Sequence, residues 1–266
     1  MTRNKKLIVG NWKMNLNTHE ASLYLHRLTG QVKSHRDVEV VLAPTLLVLQ
    51  SLSLQIDHRQ FKLAAQNFYW RDEGAFTGEV SATQLRGIVQ YGIVGHSERR
   101  HVFGETDKDI RSKVQAALRN EIKPILCIGE TAGERAEDET ISVLHSQLVS
   151  GLANVTSDEI ADIAIAYEPV WALSNGKDFN SHPTPTPEDA TKIAGYIRKQ
   201  IAHLFGKKAA DSVRVLYGGS ANAHNAAGFL SAEGIDGLLI GGASLDAYAF
   251  SDIIEKAHQG SALIKK

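Results

Sequence analysis

Apolar residues along this chain gather in short, uninterrupted runs: LIVG (7–10), VEVVLA (38–43), FKLAAQ (61–66), YGIVGH (91–96), PILCIG (124–129), IADIAIAYE (160–168), SVRVLYGG (212–219) and IDGLLIGG (235–242), eight in all. They are continuous rather than alternating, the pattern of strands buried on both faces of a parallel sheet. Stretches with helical spacing lie between them. The clearest is 187–204, where Ala190, Ile193, Ala194, Ile197, Ile201 and Leu204 recur at steps of three and four and give one apolar face. Its start is marked by Thr186 as N-cap, Pro187 at the first helical position, and Glu188 and Asp189 on the first turn, where negative charge is favoured. Further helices are expected at 18–29, 46–54, 80–88, 107–119, 134–152, 222–230 and 246–258. Strand followed by helix, eight times over, predicts a (β/α)8 barrel of parallel strands surrounded by helices in preference to an open doubly wound sheet. No fixed-length repeat points to a solenoid.

Composition changes this picture little. The 266 residues are 43% hydrophobic and 22% charged, enough for a sizeable core, and no linker-like break divides them, so a single domain over 1–266 is expected. Lys and Arg number 29 against 30 Asp and Glu, which gives no general pull toward nucleic acid or a membrane surface. The opening MTRNKKLIVGNWK has no continuous apolar signal region, and no apolar run approaches a bilayer span, so a cytoplasmic protein is expected. The single cysteine, Cys127, excludes an intrachain disulfide and a CxxC metal site, and its apolar run reads as a buried strand. The sequon NVT (154–156) is read as chance in a chain with no export signal.

In such a barrel, functional groups gather at the carboxyl ends of the strands. Strand one ends in Asn11 and Lys13, strand four in His96, strand six in Glu168, and strands seven and eight in the glycine-rich turns YGGS (217–220) and GG (241–242). A desolvated carboxylate is a stronger base than a hydrated one, which suits Glu168 to general-base work. Ser97 and Glu98 read as the first turn of a short helix, whose N-terminus disfavours an imidazolium and so keeps His96 neutral and able to donate to a carbonyl. Lys13 offers fixed positive charge for a dianion or a developing oxyanion, with Asn11 beside it. The glycine-rich turns let backbone N–H groups converge on a phosphate. Taken singly, each has a plainer reading: Glu168 as one half of an ion pair, His96 paired with Glu98 as a cap, Lys13 in a surface salt bridge, the glycines as tight turns. Together they suit abstraction of a proton next to a carbonyl, stabilisation of an enediolate and anchoring of a phosphate.

The motifs GNWKMN, GAFTGE (74–79), GHSERR, CIGE (127–130), AYEPVWA, YGGS and IGGASL (240–245) stand in an order and spacing that resembles the triosephosphate isomerase family over essentially the whole chain. The resemblance implies the TIM-barrel fold and interconversion of dihydroxyacetone phosphate and glyceraldehyde 3-phosphate. It implies that Glu168 shuttles the proton between two carbons, that neutral His96 polarises the carbonyl, and that Lys13 and Asn11 bind the substrate. The phosphate is expected on N–H groups around Ser174, Ser220, Gly241 and Gly242. Family members are homodimers in which the GAFTGE loop enters the partner's site, which makes Thr77 an interface candidate. No metal or organic cofactor is implied.

Two departures stand out. The segment after Glu168 reads as a lid, and its tip, in the family usually Ile-Gly-Thr-Gly-Lys, is here Leu173, Ser174, Asn175, Gly176, Lys177; a serine meets a steric cost wherever closure needs positive φ. The stretch from Lys177 to the helix start is also longer by six residues and contains HPTPTP, expected to run extended and bulge outward. The altered lid raises a neighbouring substrate, such as a four-carbon ketose phosphate, as an alternative. A non-catalytic binding barrel is the other.

Overall fold

The structure, a computed structural model, describes residues 5–33, 36–173 and 184–263. Its centre is a closed barrel of eight parallel strands in sequential order: β1 (Lys6–Asn11), β2 (Val38–Ala43), β3 (Phe61–Ala65), β4 (Tyr91–Val94), β5 (Lys123–Ile128), β6 (Ala164–Tyr167), β7 (Arg214–Tyr217) and β8 (Gly237–Ile240). β8 pairs back on β1, Leu7 opposite Gly237 and Gly10 opposite Ile240, so no edge is left open. Helices pack around it: α1 (Thr18–Gln31), α2 (Leu46–Ser53), α3 (Ala82–Leu85), α4 (Ser97–His101), α5 (Asp107–Arg119), α6 (Ala132–Ala136), α7 (Thr140–Gly151), α8 (Pro187–Phe205), α9 (Lys207–Ser212), α10 (Ala226–Ser231) and α11 (Ala247–Leu263). The (β/α)8 expectation therefore holds.

Two separate apolar clusters explain why the strands read as continuous runs. Leu7, Val9, Val41, Ala43, Ile93, Ile125, Cys127, Ala164, Ala166, Leu216 and Leu239 fill the barrel interior, while Ile8, Leu42, Leu63, Leu126, Ile165 and Val215 face the helices. The strand pleat alternates inside and outside, and here both sides are dry. Cys127 is fully buried and burial pushes its thiol well up, with the Glu168 charge adding to the effect, so the reading of an inert strand residue stands.

The strand and helix limits differ from expectation where local chemistry intervenes. The run 160–168 shortens to β6 because Glu159–Asp162 forms a 3-10 turn ahead of it, started by the Thr156 and Glu159 side chains. The helix expected over 134–152 divides: α6 stops after one turn, Asp138 takes φ +58, and α7 begins at Thr140. The helix expected over 80–88 shrinks to the four residues of α3, since Gly87 at φ +81 turns the chain away. α8 matches to within a residue, and its Thr186 side chain and Asp189 form the reciprocal cap. Gly206, at φ +89, ends it and admits α9, which the periodicity did not predict. The lid tip from Ser174 to Lys177 and most of the proline-rich insertion lie outside the described residues.

Candidate active site

The interior register carries straight into the site. Asn11 stands two residues beyond Val9, Glu168 two beyond Ala166, and Gly241 two beyond Leu239, so the same pleat that fills the barrel turns these three toward its carboxyl-terminal mouth. His96 is out of phase with Tyr91 and Ile93. It reaches the mouth because Gly95 adopts φ +70, a conformation open to glycine, in a place where a Cβ would press on Arg100 and Ile110. Arg100 fixes that turn: its Nε donates to the Gly95 carbonyl at 2.8 Å, its guanidinium reaches the Cys127 carbonyl at 3.1 Å and pairs with Asp107 at 2.7 Å.

Asn11, Lys13, His96, Glu168, Ser220, Gly241 and Gly242 together line one cavity of about 180 Å³, with Leu173, Gly218, Gly219 and Leu239 completing its wall. Glu168 is 2% exposed and His96 7%. The Glu168 carboxylate is held at both oxygens: Oε2 accepts from the Ser97 N–H at 2.8 Å, and Oε1 lies 3.0 Å from His96 Nε2. Nδ1 of His96 accepts from the Glu98 N–H at 3.2 Å, at the start of α4. With Nδ1 accepting, it is Nε2 that presents the ring's N–H to Glu168. The plainer reading of His96 as a cap is thus also true. It is the cap that sets the tautomer.

Glycines make the room. A Cβ at Gly129 would fall 1.7 Å from the Glu168 carbonyl oxygen, and one at Gly218 would fall 3.0 Å from Glu168 Cγ. The carboxylate and its backbone are therefore seated against two bare peptide units. Behind them, fully buried Glu130 receives the Trp171 indole N–H at 2.9 Å, the Tyr167 hydroxyl at 3.1 Å and the Arg135 guanidinium at 3.2 Å, while Arg135 also lies over the Trp171 ring. Ser220 Oγ donates to the Ala172 carbonyl at 2.8 Å, which ties the YGGS turn to the chain that follows Glu168.

Lys13 sits at φ +53, its N–H bonded to Asn11 Oδ1 at 3.1 Å and its carbonyl accepting from Gln66 Nε2 at 2.9 Å. Its ammonium pairs with Glu98 Oε1 at 2.5 Å, and its stem crosses Gly241, where a Cβ would stand 3.3 Å from Cε. The plainer reading of a partly exposed salt bridge is therefore met, with Lys13 also lining the cavity. Thr77 lies apart, exposed on the loop after β3.

Sequence reasoning missed the service of the Ser97 N–H to the carboxylate, the pairing of Glu98 with Lys13, and Leu239 in the wall. The parity of β8 points Leu239 inward and could have found it. The Ser97 contact depends on the turn at Gly95, for which alternation carries no signal.

Residues 6–257 match the family model described as triosephosphate isomerase. The chain is similar to the triosephosphate isomerase of Citrifermentans bemidjiense, 43% identical over 251 residues that cover 94% of this chain and 98% of that one. It is similar to those of Endomicrobium trichonymphae, 42% identical over 252 residues, and Geotalea uraniireducens, 41% over 251, each with the same coverage. With this agreement over nearly the whole length, on a closed barrel whose mouth carries the acid, the imidazole and the lysine together, the chain belongs to the triosephosphate isomerase family and is an isomerase that interconverts dihydroxyacetone phosphate and D-glyceraldehyde 3-phosphate.

Proposed function

We propose that the residues at the barrel mouth divide the isomerisation as follows. Glu168 removes a proton from the carbon next to the substrate carbonyl and returns it to the neighbouring carbon. The Nε2–H of His96 donates to the carbonyl oxygen, which becomes the enediolate oxygen, and the ring then carries protons between the two oxygens. Lys13 and Asn11 bind the substrate, Lys13 adding positive charge where negative charge develops. The phosphate rests on backbone N–H groups around Ser220, Gly241 and Gly242. The observation that carries this reading is the 3.0 Å approach of His96 Nε2 to Glu168 Oε1 within the lysine-lined cavity. A substrate carbonyl that accepts from Nε2 takes the place of Oε1, and so releases the very oxygen that must take the proton.

Glu168→Asp, which withdraws the carboxylate by one methylene, is expected to lower kcat by about 100-fold or more while the circular dichroism stays that of the unmodified protein. Unchanged turnover in a coupled assay would refute Glu168 as the base. No described residue favours the four-carbon substrate or a non-catalytic barrel.

We further propose a homodimer, one domain over 1–266, and a cytoplasmic enzyme. Met14, Leu47, Phe76, Val102 and Phe103, all exposed, lie in the connections after the first four strands, Leu47 on the first turn of α2, and Thr77 is exposed beside Phe76. One closed barrel accommodates the described chain, an argument for a single domain. No described helix is long and apolar enough to cross a membrane, and the lone cysteine, reduced and buried, suits a reducing compartment.

A further inference from the structure

Tyr24 lies outside the cavity and outside every motif quoted above, yet it touches both the first and the last turn of the barrel mouth. It is buried on α1, and its ring meets Trp12 edge-on with centroids 4.8 Å apart. Trp12 stands between Asn11 and Lys13. The Tyr24 hydroxyl donates to the Ser244 carbonyl at 2.7 Å.

Ser244 belongs to the 3-10 turn Gly242–Leu245 that follows β8. It is fully buried, and both its hydroxyl and its N–H donate to the Gly241 carbonyl, at 2.7 and 2.8 Å. Its floor is the backbone of β1: a Cβ at Gly10 would come 3.0 Å from Ser244 Cβ and 3.0 Å from Phe250 Cζ. Gly241 in turn lies against the Lys13 stem. The chain Tyr24, Ser244, Gly241, Lys13 therefore closes a ring of contacts across the seam between β8 and β1.

A phenylalanine would fill the space of the ring equally well. What the hydroxyl adds is a direction: it holds one peptide plane of the turn at a fixed tilt. Burial, with the charge of Asp246 behind it, pushes the phenol upward, so it stays protonated and a donor throughout the range in which enzymes work.

We propose that Tyr24 is a positioning residue for the anion-binding turn, tethering Ser244 so that the peptides of Gly241 and Gly242 keep their orientation toward Lys13 and the phosphate. This rests on the phosphate assignment made above. Tyr24 acts on grip, not on proton transfer, because nothing in its contacts reaches Glu168 or His96. Removing it takes away binding that ground state and transition state share, which raises KM and leaves kcat.

The test is Tyr24→Phe, which keeps the ring on Trp12, with Ser244→Ala and the double variant beside it. Inorganic phosphate is the probe, its Kd read by calorimetry and as competitive inhibition of triose phosphate turnover. Tyr24→Phe is expected to raise the phosphate Kd and the KM about three- to ten-fold, the effect of one hydrogen bond, with kcat within two-fold. The double variant is expected to lose less than the product of the two single losses, since both act on one turn. A Kd and KM unchanged in Tyr24→Phe, a fall in kcat alone, or independent losses in the double variant would each overturn the tether. If the unmodified protein fails to bind phosphate at all, both the tether and the phosphate assignment fall. Normal binding that Tyr24→Phe leaves untouched removes the tether only.

Discussion

At the scale of single residues, the site depends as much on side chains that are missing as on those that react. Gly129 has no room for a methyl group, because the Glu168 carbonyl oxygen would stand 1.7 Å from it. Gly129→Ala must therefore displace the backbone that carries Glu168. Overpacking of this kind costs about 1–3 kcal/mol of stability, and a shift of about 1 Å at a catalytic group costs about 100-fold in rate. We expect both losses, read by urea titration and by kcat, and wild-type kinetics in a folded Gly129→Ala protein would show that the carboxylate is seated some other way. Glu98→Gln is a gentler probe. The pair it makes with Lys13 is more than one-third exposed on both sides, so stability should change little, but the ammonium loses its anchor at the mouth. A rise in KM with an unmoved Tm is expected, and a Tm that falls with KM constant would assign the pair to stability alone. How far these contacts could be read in advance varies with the backbone. Asn11, Glu168 and Gly241 follow from strand parity, whereas His96 reaches the mouth only through the positive φ of Gly95, and alternation is blind to a dihedral.

At the scale of elements, the barrel's two ends are built from the same alternation for different ends. Glu39, Tyr91 and Arg214 share the interior parity of β2, β4 and β7 but lie at the amino-terminal end, away from the cavity. Glu39 Oε2 accepts from the Tyr91 hydroxyl at 2.9 Å and from Arg214 at 2.7 Å, and Arg214 donates to the Tyr91 oxygen at 2.6 Å. These polar groups plug the barrel floor. Burial works to raise the Glu39 carboxyl, but the hydrogen bond and charge of Arg214, with help from Tyr91 and Lys123, outweigh it and hold the group below its ordinary value of 4.5. A carboxyl depressed on folding contributes stability above its unfolded value and loses it as pH falls through the folded one. Glu39→Gln should accordingly lower Tm most above about pH 5, and the gap to the unmodified protein should close as pH falls below about 4.5. A gap that is constant across this range would mean that the floor is held by packing. The sequence made the strand interiors plain, since two dry faces demand continuous apolar residues. The helix limits are plain where a cap is written in side chains, as at Thr106 with Asp109 and Thr186 with Asp189. Where the boundary is a backbone event, as at Asp138 or Gly206, a run of helical spacing passes over it unmarked.

At the scale of the whole molecule, several exposed apolar residues follow the first four strands. Among the described residues, Phe76 is 39% exposed, Leu47 80%, Phe103 68%, Val102 72% and Met14 93%, in the connections after β1 to β4. Scattered apolar residues need no explanation, but five in consecutive connections offer apolar area that a partner surface could cover. Tyr69 and Trp70 stack at 4.1 Å beneath the loop, and Phe76 leans on Tyr69 at 4.6 Å, so the segment bearing Thr77 is braced from below by aromatic contact. A braced loop with Phe76 exposed on it suits packing against a second copy of the chain, and a two-fold pairing is the commonest closed arrangement. Because Met14 directly follows Lys13, its burial in a dimer would also restrict the motion of the loop that holds the lysine. Dimerisation is thus expected to support catalysis as well as solubility. Sedimentation of the unmodified protein at micromolar concentration should give twice the 29.0 kDa chain mass. Thr77→Arg, which puts a bulky cation on the loop expected to enter the partner's site, should shift the distribution toward monomer and raise KM in step with dissociation. Two outcomes would count against the argument: a monomer in the unmodified protein, which removes the interface, and a monomeric Thr77→Arg with unaltered kinetics, which separates the interface from the lysine loop.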